Sequence, residues 1–186
     1  MRRLLLRGSL RGRLSCWLAL QAMLGLGVVC VAAYVVIAMT LASLAAEVVE
    51  FHEAALWEVS MCAEVQGDAS ASVDAPLLRR ALSNLLCNAT RYGDPGSRVF
   101  IRIEPLLEGG VEISVTKRGP DVEPVHLPRL FDRFYRADAA RTHGDRNHGL
   151  GLAIVAGIAR MHGGEVFAES ANGITCIGMR LGQAPA

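Results

Sequence analysis

Charge is what the 186-residue chain lacks most visibly: from Trp17 to Leu44 there are 28 residues without a charged side chain. Only Gln21, Gly25, Gly27, Thr40 and Ser43 of that stretch fall outside the hydrophobic set. Aromatic residues are scarce at 5%. The five cysteines, Cys16, Cys30, Cys62, Cys87 and Cys176, have no paired spacing, which excludes a disulfide scaffold. No basic face dominates the chain. Arg2, Arg3, Arg7, Arg11 and Arg13 precede the charge-free stretch, and residues 14–186 carry 14 bases against 18 acids. This excludes nucleic-acid binding as the main role. A hydrophobic share of 52% excludes intrinsic disorder.

A bilayer's hydrocarbon core needs about 20 apolar residues at 1.5 Å each, so residues 17–44 are long enough to cross with tilt to spare. A cleaved signal peptide would have an apolar core of about 7–15 residues, and a buried core helix is the other alternative. The expectation is an uncleaved single span, with residues 1–16 as a basic cytoplasmic N-terminus. Acidic Glu47, Glu50 and Glu53 follow it. One such span would place the rest of the chain outside the cytoplasm.

Residues 45–61 read as a helical linker. Cys62–Gln66 and Ser70–Asp74 read as short strands separated by Gly67-Asp68. From Ala75 the period becomes helical, with Leu78, Ala81, Leu82, Leu85, Leu86 and Ala89 on one face. Asp74-Ala75-Pro76 supplies a cap and a first-turn proline, and Gly93-Asp94-Pro95-Gly96 supplies the stop. Strands are expected at Arg98–Glu104 and Val111–Thr116 across a Gly-Gly turn. A polar loop over 117–148, a helix at Leu150–Met161 and strands at Val166–Glu169 and Gly173–Leu181 follow, with 183–186 as a tail. This order predicts an α+β fold, a two-layer α/β sandwich with helices on one face of a mixed sheet.

Three features carry chemistry. Asn84, Asn88 and Arg91 share one ridge of the first helix, away from its apolar stripe. Asparagine carbonyls can ligate Mg²⁺ and an arginine can neutralise phosphate, although a solvated face would look the same. Gly149-Leu150-Gly151-Leu152 opens the second helix, where glycines let backbone N–H groups approach an anion or simply permit a tight turn. No G-x-x-x-x-G-K-[ST] occurs, so the P-loop route to phosphate is absent. Leu130–Arg136, LFDRFYR, sets two phenylalanines and a tyrosine at the start of an arginine-rich loop. That suits a lid over a polyphosphate, or a small hydrophobic cluster under a long loop.

In this order, NLLCNATRY, a glycine turn after a strand, LFDRFYRAD, GLGLAIV and HGG resemble the ATP-binding catalytic domain of bacterial two-component sensor histidine kinases. The resemblance covers about residues 62–182. It implies the histidine-kinase ATPase fold, with ATP and Mg²⁺ as cofactors. It makes Asn88 the Mg²⁺ ligand, supported by Asn84 and by Arg91 beside Tyr92. Gly119 is the close-approach glycine beneath adenine, Phe131 and Phe134 anchor the lid with Arg136 beside them, and Gly149, Leu150, Gly151 and Leu152 hold phosphate. No catalytic side chain is implied, because transfer of the γ-phosphoryl to a histidine on a separate hairpin rests on positioning and electrostatics.

The chain departs from that family in its glycine boxes, its acceptor and its linker. Lys117 stands where an acidic or amide side chain accepts from the adenine amino group, and an ammonium has only donors. Asp121 replaces a second glycine, and Asn147-His148 stand where glycine and a small residue are common. No segment matches the acceptor motif His-Glu-Leu/Phe-Arg/Lys-Thr-Pro; His52-Glu53 continues as Ala-Ala-Leu. Only about 15 residues separate the apolar stretch from the domain, at most about 22 Å of helix. The expectation is therefore a truncated or internally deleted inner-membrane kinase without its own dimerisation hairpin or homodimer. Its partners would be a response regulator or a full-length sensor kinase, and its catalytic domain, if functional, would be cytoplasmic. His162, at a helix C-terminus, is expected to cap it.

Overall fold

The computed structural model describes residues 40–107, 109–137 and 149–182, together with Gln21 and Met23. Thr40–Ala186 forms one compact unit and Met1–Met39 another. Among the described residues no helix is long and apolar enough to cross a membrane, and all but the last five residues of the expected span (Gln21 and Met23 apart) lie outside them.

Those last five residues belong to the folded unit, which corrects the expected end of the span at Leu44. Thr40 caps helix α1 (Leu41–Phe51) by accepting from the Ser43 N–H. Leu41, Leu44, Ala45 and Val48 are buried on one face. The Leu41 N–H donates to the Ala69 carbonyl at 3.2 Å, and the Ala42 N–H to Asp68 Oδ1 at 3.0 Å, so α1 is tied to the chain that follows the first strand. A charge-free run fits a membrane or a protein core equally well, and here its C-terminal end lines a core. A short helix α2 (Glu53–Glu58) follows, where one continuous helical linker was expected.

Strand β1 (Cys62–Gln66) pairs in parallel with β2 (Arg98–Pro105), and β2 pairs antiparallel with β3 (Val111–Arg118). Between β1 and β2 the chain forms α3 (Ala75–Tyr92). After β3 come a 3₁₀ turn (Leu127–Arg129) and helix α4 (Gly151–Met161), then β4 (Glu165–Ala171) and β5 (Ile174–Leu181). The sheet order is β1-β2-β3-β5-β4. This is the mixed sheet the alternation predicts. Residues 70–74 form no strand; Ala71 and Val73 pack against the core as extended chain leading into α3.

Period two sorts each strand into two faces. Val99, Ile101 and Ile103 of β2, Val111, Ile113 and Val115 of β3, and Ile177, Met179 and Leu181 of β5 are buried in one cluster with the apolar faces of α1, α3 and α4. The opposite face is polar. There Arg180 bonds Glu112 Oε2 at 2.9 Å and Glu165 Oε1 at 3.0 Å while stacking on Phe167. Lys117 extends the buried face of β3, and its register partner Thr175 extends that of β5.

At its C-terminus α4 ends on His162, whose N–H reaches the Ile158 and Ala159 carbonyls. The expected cap is there, with a second link that the sequence did not reveal. His162 Nε2 accepts from the Asp74 N–H at 3.0 Å while Nδ1 lies 2.9 Å from the Ile158 carbonyl. The ring thus joins the end of α4 to the cap of α3, where Asp74 Oδ1 accepts from the Leu77 N–H.

Candidate functional site

A cleft of about 640 Å³ opens between the polar ridge of α3, the ends of β3 and β5, the loop after β3 and the start of α4. Asn84, Asn88 and Arg91 line it from α3, and Gly149, Gly151 and Leu152 face it from α4. The α3 ridge and the glycine-opened helix, far apart in sequence, therefore share one site.

Asn84 has a fixed role in this arrangement. Its Nδ2 donates to the Arg80 carbonyl at 2.8 Å, which turns Oδ1 towards α4. A Cβ on Gly151 would lie 3.1 Å from that oxygen, a tight contact, so a glycine here lets α4 start close against α3 without displacing Asn84. Asn84 meets the start of α4, while Asn88, one turn on, lines the open cleft. Leu150 precedes α4 and makes no side-chain cap bond to its first N–H groups.

At the other end of the cleft Gly119 is packed against the last turn of α3. A Cβ there would sit 2.6 Å from the Tyr92 carbonyl oxygen and 3.2 Å from Lys117 Nζ. Lys117 is 4% exposed and Thr175 1%. Burial lowers the Lys117 ammonium from its ordinary pKa, and the carboxylates of Asp94 and Asp121 pull it back up. Asp121 is held in place by the β4–β5 turn: its Oδ1 accepts from the Gly173 N–H at 2.9 Å. Ser170 bridges Val122 and Thr175 beside it. Leu152 and Ile177 supply apolar walls.

The aromatic segment divides differently from expectation. Phe131 packs against the core, whereas Phe134 is 69% exposed and so does not anchor the loop by its side chain. Tyr135 takes that role. Its hydroxyl lies 2.6 Å from His126 Nδ1, and Arg129 stacks over its ring at 4.2 Å. The Phe134 N–H donates to the Gly149 carbonyl at 3.0 Å, which joins the two ends of the segment at the cleft mouth. Arg136 lines the mouth as well. Residues 138–148, with Asn147 and His148, lie outside the described residues.

A second hollow of about 590 Å³ lies between α1 and α3, lined by Phe51, Arg79, Ser83 and Cys87. His52 contacts two of its lining residues, at Ser83 Oγ and Cys87 Sγ, and burial lowers the His52 pKa.

A family model described as histidine kinase-, DNA gyrase B- and HSP90-like ATPase matches residues 73–184. The sensor histidine kinase TrcS of Mycobacterium tuberculosis is 48% identical over 112 residues, covering 58% of this chain and 22% of TrcS. The solved mycobacterial sensor histidine kinase MprB superposes with a TM-score of 0.64 at 30% identity, covering 76% of this chain and 97% of that one. Full-length ShkA in complex with AMPPNP superposes at 0.66 and 25% identity, covering 78% of this chain and 31% of ShkA. The chain spans about a quarter of the length of the curated relatives it matches. A matching domain model, curated relatives and superposable structures agree with one another, and the chain belongs to the histidine kinase-, DNA gyrase B- and HSP90-like ATPase family as a catalytic domain of the sensor histidine kinase type.

Proposed function

We propose that this chain binds a purine nucleoside triphosphate with Mg²⁺ in the α3–α4 cleft and passes the γ-phosphoryl to a histidine carried by a partner sensor kinase. ATP is the nucleotide of the family. Asn88 ligates the metal through its carbonyl oxygen, with Asn84 fixing the start of α4. Arg91, Arg136 and the α4 N-terminus with Gly149, Leu150, Gly151 and Leu152 receive the phosphates. Tyr92, Lys117 and Gly119 border the base. The observation that carries this reading is the meeting of Asn84 with Gly151, which sets the Asn88 ridge against a helix N-terminus that Leu150 does not cap with its side chain. Mg²⁺ keeps most of its waters and takes one or two protein oxygens, which this donor set can supply.

The 186 residues hold no His-Glu-x-x-x-Pro acceptor, and the proposal takes the acceptor histidine to be carried by a partner. The partner is a full-length sensor kinase, with a response regulator as the next acceptor. Residues 17–39, ahead of α1, are long enough to anchor the chain in the inner membrane. The test is calorimetry of the full chain with Mg²⁺ and a non-hydrolysable triphosphate. Binding in the micromolar to millimolar range that Asn88→Ala abolishes is expected; no binding, or binding indifferent to Asn88→Ala, would sink the proposal. Lys117 favours a second reading, in which the cleft binds nucleotide to regulate a partner kinase without transferring phosphate. Label moving from a γ-labelled triphosphate to a supplied acceptor hairpin decides for the first.

A further inference from the structure

We propose that His126 is a positioning residue for the phosphate end of the cleft: its bond to Tyr135 fixes the backbone at Phe134–Arg136, and that backbone fixes the start of α4. The inference rests on the nucleotide reading above and adds a residue to it. Successive turns fold the segment back on itself. The Arg129 N–H donates to the His126 carbonyl at 3.0 Å, the Asp132 N–H to the Arg129 carbonyl at 3.0 Å, and the Tyr135 N–H to the Asp132 carbonyl at 3.4 Å. Leu130 and Phe131, in the middle of the segment, pack against the core. These turns bring the Tyr135 hydroxyl to 2.6 Å from His126 Nδ1, with Arg129 stacked over the tyrosine ring. His126 Nε2 lies 4.0 Å from Glu123 Oε2, and a proton held on that side leaves Nδ1 to accept from the hydroxyl.

Phe134 shows what this bond holds. Its φ of +65° is a left-handed conformation that an aromatic residue rarely adopts and keeps only where its surroundings impose it. The ring is 69% exposed and does not impose it, so the constraint comes from the backbone on either side. On one side the Phe134 N–H donates to the Gly149 carbonyl at 3.0 Å. Gly149, at φ +68°, packs so closely that a Cβ on it would lie 2.9 Å from the Phe134 carbonyl carbon and 3.0 Å from the Tyr135 oxygen. On the other side stands the His126–Tyr135 bond. Gly149 leads through Leu150 into α4, and Arg136, next to Tyr135, lines the same cleft. Releasing the tyrosine lets Phe134 relax towards ordinary backbone, which moves Arg136 and the α4 N-terminus together. Those are the groups that receive the phosphates.

The test is calorimetry of the full chain with Mg²⁺ and a non-hydrolysable adenosine triphosphate, with adenosine monophosphate titrated against it as a competitor. Tyr135→Phe and His126→Ala are each expected to weaken the triphosphate by about three- to tenfold, the loss of one hydrogen bond, and the monophosphate by less than about twofold. His126→Asn keeps an amide near the place of Nδ1 that can meet the hydroxyl, and is expected to recover most of the loss. The double variant His126→Ala, Tyr135→Phe is expected to lose no more than either single change, because both remove the same bond. Unchanged triphosphate affinity overturns the inference and leaves the nucleotide reading intact. An equal loss for the monophosphate also overturns it, since the whole cleft would then have shifted. Additive losses in the double variant, or no recovery by His126→Asn, overturn the route through Tyr135. Failure of the unaltered chain to bind overturns the nucleotide reading and this inference with it. Where the monophosphate binds too weakly to compete, the asparagine recovery and the double variant decide the matter.

Discussion

Lys117 sits where the alternation of β3 calls for an apolar side chain after Val111, Ile113 and Val115. Burial of an ammonium there costs the free protein more than the Asp94 and Asp121 carboxylates return, so Lys117→Met should raise the stability of the nucleotide-free chain by about 1–3 kcal/mol in urea titration. A loss of stability instead would mean that the carboxylates outweigh the burial. Gly119 is constrained from the other side. Gly119→Ala would drive a methyl into the Tyr92 carbonyl 2.6 Å away, and should cost about 1–3 kcal/mol and weaken nucleotide binding by shifting α3. His52 gives a pH signature. Its folded-state pKa is lowered by burial from 6.5, so as pH falls through that value the unfolded chain takes up a proton that the folded chain refuses. Its contribution is therefore fully present above about pH 6.5 and is lost as pH falls towards the folded pKa. Denaturation at pH 7.5 and 5.5 should show a drop that His52→Gln makes smaller; equal drops would refute the assignment.

Among the elements, α3 and the strands were legible because their signals are local: a capping Asp74, a 3.6-residue apolar period, and period-two alternation in RVFIRIE and VEISVT. Residues 70–74 misled because alternation reports a half-buried extended chain and not a paired one. The Ala69 carbonyl accepts from Leu41, and Asp68 accepts from the Ala69 and Ala42 N–H groups, so the start of this segment is bonded to α1 instead of a strand. The His162 link between α4 and α3 was legible only in part. A histidine before two glycines signals a cap, but its second nitrogen meets Asp74, 88 residues away. His162→Ala should cost about 1–3 kcal/mol, because it strips the Asp74 N–H of its acceptor as well as the α4 cap contact. A cost within a few tenths of a kcal/mol, read by thermal or urea unfolding, would mean water replaces the ring.

For the whole molecule, the boundary of the folded unit is the clearest consequence. Leu41 and Leu44 are 2% exposed in the domain core, although the sequence assigns them to a run uniform enough to be a membrane span. Leu44→Ala should destabilise the domain by about 2–5 kcal/mol, as buried leucines do. An unchanged unfolding midpoint would return Leu44 to the lipid. The sequence by itself determined the element types, the mixed sheet, the Asn84–Asn88–Arg91 ridge, the glycines at the start of α4 and the family resemblance, since all of these are written in short-range periodicity and ordered motifs. Only the tertiary structure decided that Phe134 turns outward while Tyr135 holds the loop, that Asn84 abuts Gly151, that α1 belongs to the core, and that Lys117 is buried in the wall of the cleft. Each depends on which surfaces meet across long stretches of chain, where burial and hydrogen-bond satisfaction are set jointly by neighbours that no local pattern specifies.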